Sequence, residues 1–107
     1  MRRGSARLCP EKPREEGIHL IRRNIRFTGA VQGVGFRYRA VHAARLFGVT
    51  GWIRNEWDGS VTAELQGSEA QIDQVILAIE RGRYVRIESM EVRTLPVAAG
   101  EHDFRVV

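Results

Sequence analysis

The spacing of apolar residues changes twice along this chain from the period of a β-strand to the period of an α-helix. Ile25 and Phe27 alternate with polar residues, which predicts a half-buried strand over residues 21–28. After a glycine-rich stretch, apolar residues recur at every third or fourth position over residues 36–47, which predicts an amphipathic helix that stops at Gly48. Residues 21–48 are therefore predicted to form a strand, a loop and a helix.

The second half of the chain shows the same change of period. Two alternating segments, residues 49–55 and 60–66, flank Asp58-Gly59, a dipeptide typical of hairpin turns. A capping box at residues 68–71 opens a second helix, and Gly82 ends it. The buried face of this helix is expected to consist of four aliphatic residues, Ile72, Val75, Ile76 and Ile79.

A fourth strand over residues 85–94, with a β-bulge between Ile87 and Met90, and a short strand over residues 103–107 complete the pattern. The order strand, helix, strand, strand, helix, strand is the split βαβ or ferredoxin-like arrangement. It predicts an α+β fold with two helices on one face of a five-stranded, mixed, mostly antiparallel sheet. The domain is expected to span residues 21–107, and the proline-containing, charged residues 1–20 to form a flexible N-terminal extension.

Composition narrows the class of protein. The 107 residues suffice for one domain, and the net charge of +4 is mild. Cys9 is the single cysteine, so no intrachain disulfide forms, and the three histidines lack metal-ligand spacing. No apolar run approaches the roughly 20 residues of a membrane span, and no secretory signal is recognisable. The expectation is a soluble cytoplasmic protein that needs no structural metal and has no membrane partner.

The residues between the first strand and the first helix are the candidate anion-binding site. Glycines let the backbone approach a ligand closely, and successive N–H groups in such a loop form an anion-binding nest. The following helix adds its free N–H groups and the positive end of its dipole. Arg37 in the first helical turn can add a bidentate contact. An ordinary glycine turn with a solvated arginine is the alternative. The proposed phosphate cradle is Val31, Gln32, Gly33, Val34, Gly35, Phe36 and Arg37.

Residues 29–37 together with Thr50-Gly-Trp-Ile-Arg-Asn55 and Asp58-Gly-Ser-Val61 resemble the acylphosphatase family, over about residues 22–107. The resemblance implies hydrolysis of acyl phosphates to a carboxylate and phosphate by a monomer of this topology, without metal or cofactor. It places phosphate binding on residues 31–37, with Arg37 closing the loop, and orientation of the attacking water on Asn55. Free phosphate or sulfate is expected to occupy the same site.

Other conspicuous residues are expected to have structural roles. Trp52 is predicted to lie in the core. Trp57, in the hairpin, is expected either to border the site from an exposed position or to pack against the turn. Arg54 and Glu56 are expected to form a surface ion pair on one face of their strand. His42 lies off the apolar stripe of its helix and is expected to face solvent.

Two other functions are compatible with the topology. A phosphate-binding module without turnover would resemble the N-terminal domain of a hydrogenase-maturation carbamoyltransferase. That larger protein continues with zinc-binding and transferase regions, whereas this chain ends at Val107 with no Cys-x-x-Cys, which favours a standalone enzyme. An RNA-binding module needs exposed aromatic residues on its central strands, and residues 60–67 contain none, so a nucleic-acid partner is not expected.

Overall fold

The computed structural model describes residues 19–107. Its elements in chain order are β1 (Ile21–Ala30), α1 (Phe36–Phe47), β2 (Thr50–Asn55), β3 (Val61–Gly67), α2 (Glu69–Glu80), β4 (Arg86–Leu95) and β5 (Phe104–Val106). Every expected strand and helix is present: α1 has the expected bounds, and those of the other elements differ from expectation by at most two residues. The predicted flexible extension over residues 1–20 falls, except for its last two residues, outside the described part of the chain.

The five strands form one sheet in the order β4-β1-β3-β2-β5. All neighbouring strands are antiparallel except β2 and β5, which are parallel. The two helices contact each other and pack against strands of this sheet. The predicted ferredoxin-like α+β fold, with two helices on a mixed, mostly antiparallel sheet, is confirmed. Each of these two helices has twelve residues, and no helix within residues 19–107 is long and apolar enough to cross a membrane.

The core forms where alternate residues of the central strands meet the apolar faces of the helices. Ile25 and Phe27 on β1 are fully buried, and each pairs across β1 and β3 with another buried residue. The ring of Phe27 meets the ring of Phe36 edge-on, with centroids 5.0 Å apart. Because Phe36 is the first residue of α1, this contact packs the start of the helix against the C-terminal half of β1. The connecting loop is therefore held firmly at both ends.

The predicted bulge in β4 is also confirmed. Thr28 lies opposite Ser89 and Gly29 lies opposite Ile87, so Glu88 is the extra residue on the β4 side. The ladder resumes beyond the bulge, which is why β1 continues to Ala30 rather than ending at residue 28.

The prediction that Trp52 lies in the core is wrong. Trp52 is half-buried on the face of the sheet opposite the helices, where the guanidinium carbon of Arg54 lies 5.1 Å from its ring centroid. Successive residues of a strand point to opposite faces, and Gly51 and Ile53 are the buried residues of β2. Trp52 and Arg54 therefore share the uncovered face and stack on each other. The expected ion pair of Arg54 with Glu56 is present, at 3.0 Å.

A buried arginine on this uncovered face was not expected from the sequence. Arg22 is 6% exposed, and its guanidinium donates hydrogen bonds to Glu64 at 2.9 Å, Gln66 at 3.0 Å and Glu101 at 2.8 Å. The hydrogen bond to Glu101 is the main cause that raises the pKa of Arg22, and the same bond lowers the pKa of the Glu101 carboxyl. The network joins β1 and β3 to the segment that precedes β5.

Candidate active site

The loop between β1 and α1 has a backbone conformation that requires glycine at two positions. Gly33 has a φ of 72° and Gly35 a φ of 81°, both in the left-handed region. Other L-residues adopt this region at a cost of roughly 1–2 kcal/mol. A Cβ built at either glycine would meet no atom within 4 Å, so conformation rather than crowding requires these glycines. A left-handed residue beside ordinary ones is the backbone arrangement of an anion-binding nest.

The N-terminus of α1 is left without a side-chain cap. Gly35 occupies the N-cap position, and the first turn contains no acidic residue. The first helical hydrogen bond runs from the N–H of Arg39 to the carbonyl of Gly35, at 3.0 Å. The N–H groups before it, on Phe36, Arg37 and Tyr38, therefore have no acceptor within the helix. The start of α2 is different, because a capping box closes it and an acidic residue stands in its first turn.

A cavity of about 170 Å³ lies over this loop. Arg37 is exposed at its edge, and no carboxylate within residues 19–107 forms an ion pair with it. The cavity brings together most of the loop and one residue from the end of β2. Its lining residues are Val31, Gly33, Gly35, Phe36, Arg37, Tyr38 and Asn55.

Asn55, which lines this cavity, carries an unpaired buried acceptor. Its Oδ1 is the single buried side-chain N or O atom of the described residues that has no hydrogen-bond partner. An unsatisfied buried acceptor costs about 1–3 kcal/mol, so native proteins rarely keep one without a ligand or water to satisfy it. The side-chain amide of Asn55 has an acceptor oxygen and N–H donors, both of which are suited to holding a water molecule.

Two residues of the predicted phosphate cradle do not line the cavity. Val34 packs against the hydrophobic core, and the side chain of Gln32 extends to the β2–β3 hairpin. Gln32 Nε2 donates hydrogen bonds to the carbonyl oxygens of Glu56 at 2.7 Å and Ser60 at 2.9 Å. These two residues could therefore reach a bound anion only through their backbone N–H groups. The side-chain contact of Gln32 gave no signal in the sequence, because its partners are backbone atoms.

Besides the contact with Gln32, hydrogen bonds of Asp58 hold the hairpin beside the cavity in place. Asp58 accepts hydrogen bonds from the Ser60 hydroxyl at 2.7 Å, from the Ser60 N–H at 2.9 Å and from Arg26 at 2.8 Å. These donors, with the Ser60 hydroxyl first, hold the pKa of the Asp58 carboxyl well below its usual range. Trp57, at the tip, is 96% exposed and does not line the cavity. The predicted turn is thus confirmed, and Arg26 joins it to β1.

Comparison with known proteins identifies the family. The acylphosphatase family model matches residues 23–106, which is most of the chain. The chain belongs to the acylphosphatase family. The acylphosphatase of Bifidobacterium longum is 41% identical over 83 residues, covering 77% of this chain and 86% of the relative. The acylphosphatase of Salinibacter ruber is 44% identical over 82 residues, covering 76% of this chain and 86% of the relative.

Solved acylphosphatase structures have the same fold. The acylphosphatase from Bacillus subtilis superposes with a TM-score of 0.74 at 30% identity, covering 81% of this chain and 98% of the other. Full-length HypF, solved in its phosphate- and nucleotide-bound form, gives a TM-score of 0.75 at 28% identity. That match covers 88% of this chain but 12% of HypF. The acylphosphatase fold therefore also occurs as a small part of a much larger protein.

The other titratable residues in the described part of this acylphosphatase are not arranged as a metal centre. Within residues 19–107, no group of three or more His, Cys, Asp or Glu side chains could hold a metal ion. His42 is exposed, as expected, and its ring stacks on Tyr38 with centroids 5.8 Å apart.

Proposed function

We propose that this acylphosphatase binds the phosphoryl group of its substrate with residues 31–37, and that Asn55 orients the water that attacks phosphorus. The observation that carries the proposal is that Asn55, whose buried Oδ1 has no hydrogen-bond partner, lines the same cavity as the uncapped start of α1. Asn55 is suited to holding a water molecule, and the start of α1 is suited to binding an anion. Both line the same cavity of about 170 Å³.

Phosphate binding is supported by three kinds of donor at one place. The free N–H groups at the start of α1 point along the helix axis, where the helix dipole adds about half a positive charge. The glycine loop adds backbone donors, and Arg37 adds a guanidinium that matches phosphate geometry. Hydrogen bonds to charged groups contribute about 1.5–3 kcal/mol each. A dianionic phosphoryl group is therefore the ligand that these donors favour, and free phosphate or sulfate would compete for the site.

For this reaction, the protein has to position the water and the phosphoryl group and to neutralise the charge on the phosphoryl oxygens. The oxygen of water forms a bond to phosphorus, and the bond from phosphorus to the carboxyl oxygen breaks. The leaving carboxylate keeps the electron pair, and the proton of water passes to a phosphate oxygen. Because the conjugate acid of the leaving group has a pKa of about 4, no general acid is needed. In-line placement of water and neutralisation of the phosphoryl oxygens supply the catalysis.

The same chemistry supports turnover without an added metal or cofactor, since Arg37 and backbone N–H groups can neutralise the phosphoryl oxygens. Monomeric state, cytoplasmic location and the absence of nucleic-acid and membrane partners stay predictions. Light scattering of the purified enzyme and cell fractionation would test the first two directly.

Hydrolysis of benzoyl phosphate by purified enzyme in EDTA tests the proposal. We expect Arg37→Ala to lower kcat/KM by about 10²- to 10³-fold, the loss typical of removing one transition-state donor. Inhibition by inorganic phosphate should weaken at least tenfold. The matched control is Arg45→Ala in the last turn of the same helix, where Arg45 pairs with Asp103. The Arg45→Ala variant should keep kcat/KM and the inhibition constant of phosphate within twofold of the wild-type values.

Two results would contradict the proposal. Unchanged kcat/KM in Arg37→Ala would remove the arginine from the phosphate site. Tight phosphate binding by the wild-type protein, with no turnover in EDTA, would favour a phosphate-binding module instead.

A further inference from the structure

We infer that Gln32 is a positioning residue, whose side-chain amide sets the distance between the phosphate loop and Asn55 by binding the β2–β3 hairpin. The inference rests on the proposed role of Asn55. It assigns the Gln32 side chain to the placement of the water rather than to phosphate binding.

The contact joins the two halves of the site directly. Gln32 Nε2 donates to the Glu56 carbonyl at 2.7 Å and to the Ser60 carbonyl at 2.9 Å. Glu56 is the residue immediately after Asn55, and its own N–H donates to the Ser60 carbonyl at 2.8 Å. The two carbonyls thus mark the two ends of the hairpin turn. One amide nitrogen holds both ends at once.

The sheet topology leaves a gap that this side chain spans. The phosphate loop follows β1, and Asn55 ends β2, but β3 lies between these two strands. Neighbouring strands are about 4.8 Å apart, so β1 and β2 are separated by roughly 10 Å and share no ladder hydrogen bonds. At this end of the sheet, Val61 pairs with both Phe27 and Asn55. The Gln32 side chain crosses this gap from the loop itself.

The amide is well matched to its two partners. A primary amide carries two N–H donors on one nitrogen, and the hairpin offers two carbonyl acceptors. Methionine has a similar length but no donor. Ionised glutamate has the same size but only acceptors, so it would oppose two carbonyl oxygens. Neither substitution can hold the hairpin in place.

Displacement of Asn55 should affect the rate rather than phosphate binding. In-line attack requires the reacting atoms to lie about 3–3.5 Å apart, and a misplacement of about 1 Å costs on the order of 10²-fold in rate. The backbone donors and Arg37 would stay in place without the Gln32 amide. A positioning role therefore predicts a lower kcat with an unchanged affinity for inorganic phosphate.

The test compares Gln32→Met with the wild-type enzyme, using benzoyl phosphate as substrate and inorganic phosphate as competitive inhibitor. We expect kcat to fall about 10- to 100-fold, with the inhibition constant of phosphate unchanged within twofold. Gln32→Glu, which is expected to show a larger loss, serves as a second variant if Gln32→Met does not fold. The matched control is Gln66→Met, because the Gln66 amide also donates to a backbone carbonyl, that of Ala98, and lies outside the cavity. It should lose stability and keep kcat.

A double-mutant cycle with Asn55→Ala separates positioning from independent effects. In the Asn55→Ala background, Gln32→Met should lower kcat by less than about twofold, because there is no longer an amide to position. The same loss in both backgrounds would overturn the inference. A fall in phosphate affinity equal to the fall in kcat would also overturn it, since Gln32 would then bind phosphate.

A measurement that does not depend on catalysis distinguishes this inference from the proposed role of Asn55. Gln32→Met should shift the NMR signals of the Asn55 side-chain amide and of the Glu56 backbone N–H, while Gln66→Met should leave them unchanged. Unshifted signals would show that Gln32 does not set the position of Asn55. Full kcat in Asn55→Ala alone, with shifted signals in Gln32→Met, would instead refute the role of Asn55.

Discussion

Replacing Asn55 by alanine should remove activity without removing stability. The Oδ1 of Asn55 is buried and has no hydrogen-bond partner in the described residues. Removing this atom therefore breaks no hydrogen bond that stabilises the fold. The free energy of unfolding should therefore change by less than about 1 kcal/mol, and an unsatisfied acceptor is even removed. For a domain of this size, 1 kcal/mol corresponds to a Tm change of about 4–8 °C.

The expected effect of Asn55→Ala on the rate is much larger. Loss of one group that orients a reactant in the transition state typically lowers kcat by about 10²- to 10³-fold, or roughly 2.7–4 kcal/mol. Affinity for inorganic phosphate should be unchanged, because the proposed phosphate donors lie on the loop and on α1. Hydrolysis of benzoyl phosphate, inhibition by phosphate and thermal unfolding followed by circular dichroism measure the three quantities on one sample.

Asn24→Ala is the matched control with the opposite expected outcome. Asn24 is also a half-buried asparagine of the sheet, but its Nδ2 donates a 3.0 Å hydrogen bond to Glu64 on the uncovered face. It does not line the cavity. Its truncation should lower stability by about 1 kcal/mol and leave kcat unchanged. The reasoning would be refuted if Asn55→Ala lost more stability than Asn24→Ala, or if it kept the wild-type kcat.

Two further predictions concern the loop and the hairpin. Gly35→Ala, at a φ of 81°, should lower the free energy of unfolding by about 1–2 kcal/mol in urea titrations and weaken inhibition by phosphate; unchanged stability would contradict the conformational argument. The pKa of Asp58 is lowered by hydrogen bonds from Ser60 and Arg26, so its contribution to stability is complete above its unfolded pKa of about 3.9 and is lost as the pH falls through the lower folded pKa. The Tm of Asp58→Asn should therefore lie below that of the wild type at pH 7, and the difference should shrink on acidification below about pH 4; a constant difference would exclude the carboxylate as its cause.

The sequence by itself determined the secondary structure, the topology and the location of the glycine-rich loop between β1 and α1. Local signals carried this information, because strand and helix periods, a capping box and turn glycines depend on residues only a few positions apart. Both helices, all five strands and the β4 bulge followed from such signals. The motifs around residues 31–37 and Asn55 also indicated the family, since each is a short continuous segment.

Only the tertiary structure decided which face of β2 lies against the helices. Trp52 has an aromatic side chain suited to a core, yet the helices cover the face of Ile53, so Trp52 packs under Arg54 on the other side. Arg22 is buried because three polar partners, 42 to 79 residues away in the chain, surround it. No local pattern contains this information.

The pairing of phosphate loop and Asn55 was also decided by tertiary structure. Asn55 stands at the end of its strand in the sequence, but its unpaired oxygen and the cavity it shares with the loop exist only in the folded sheet. Gln32 reaches backbone carbonyls 24 and 28 residues further along the chain. Every residue has a backbone carbonyl, so the identity of such partners leaves no trace in the sequence. Chain folding alone selects which carbonyl a side chain meets.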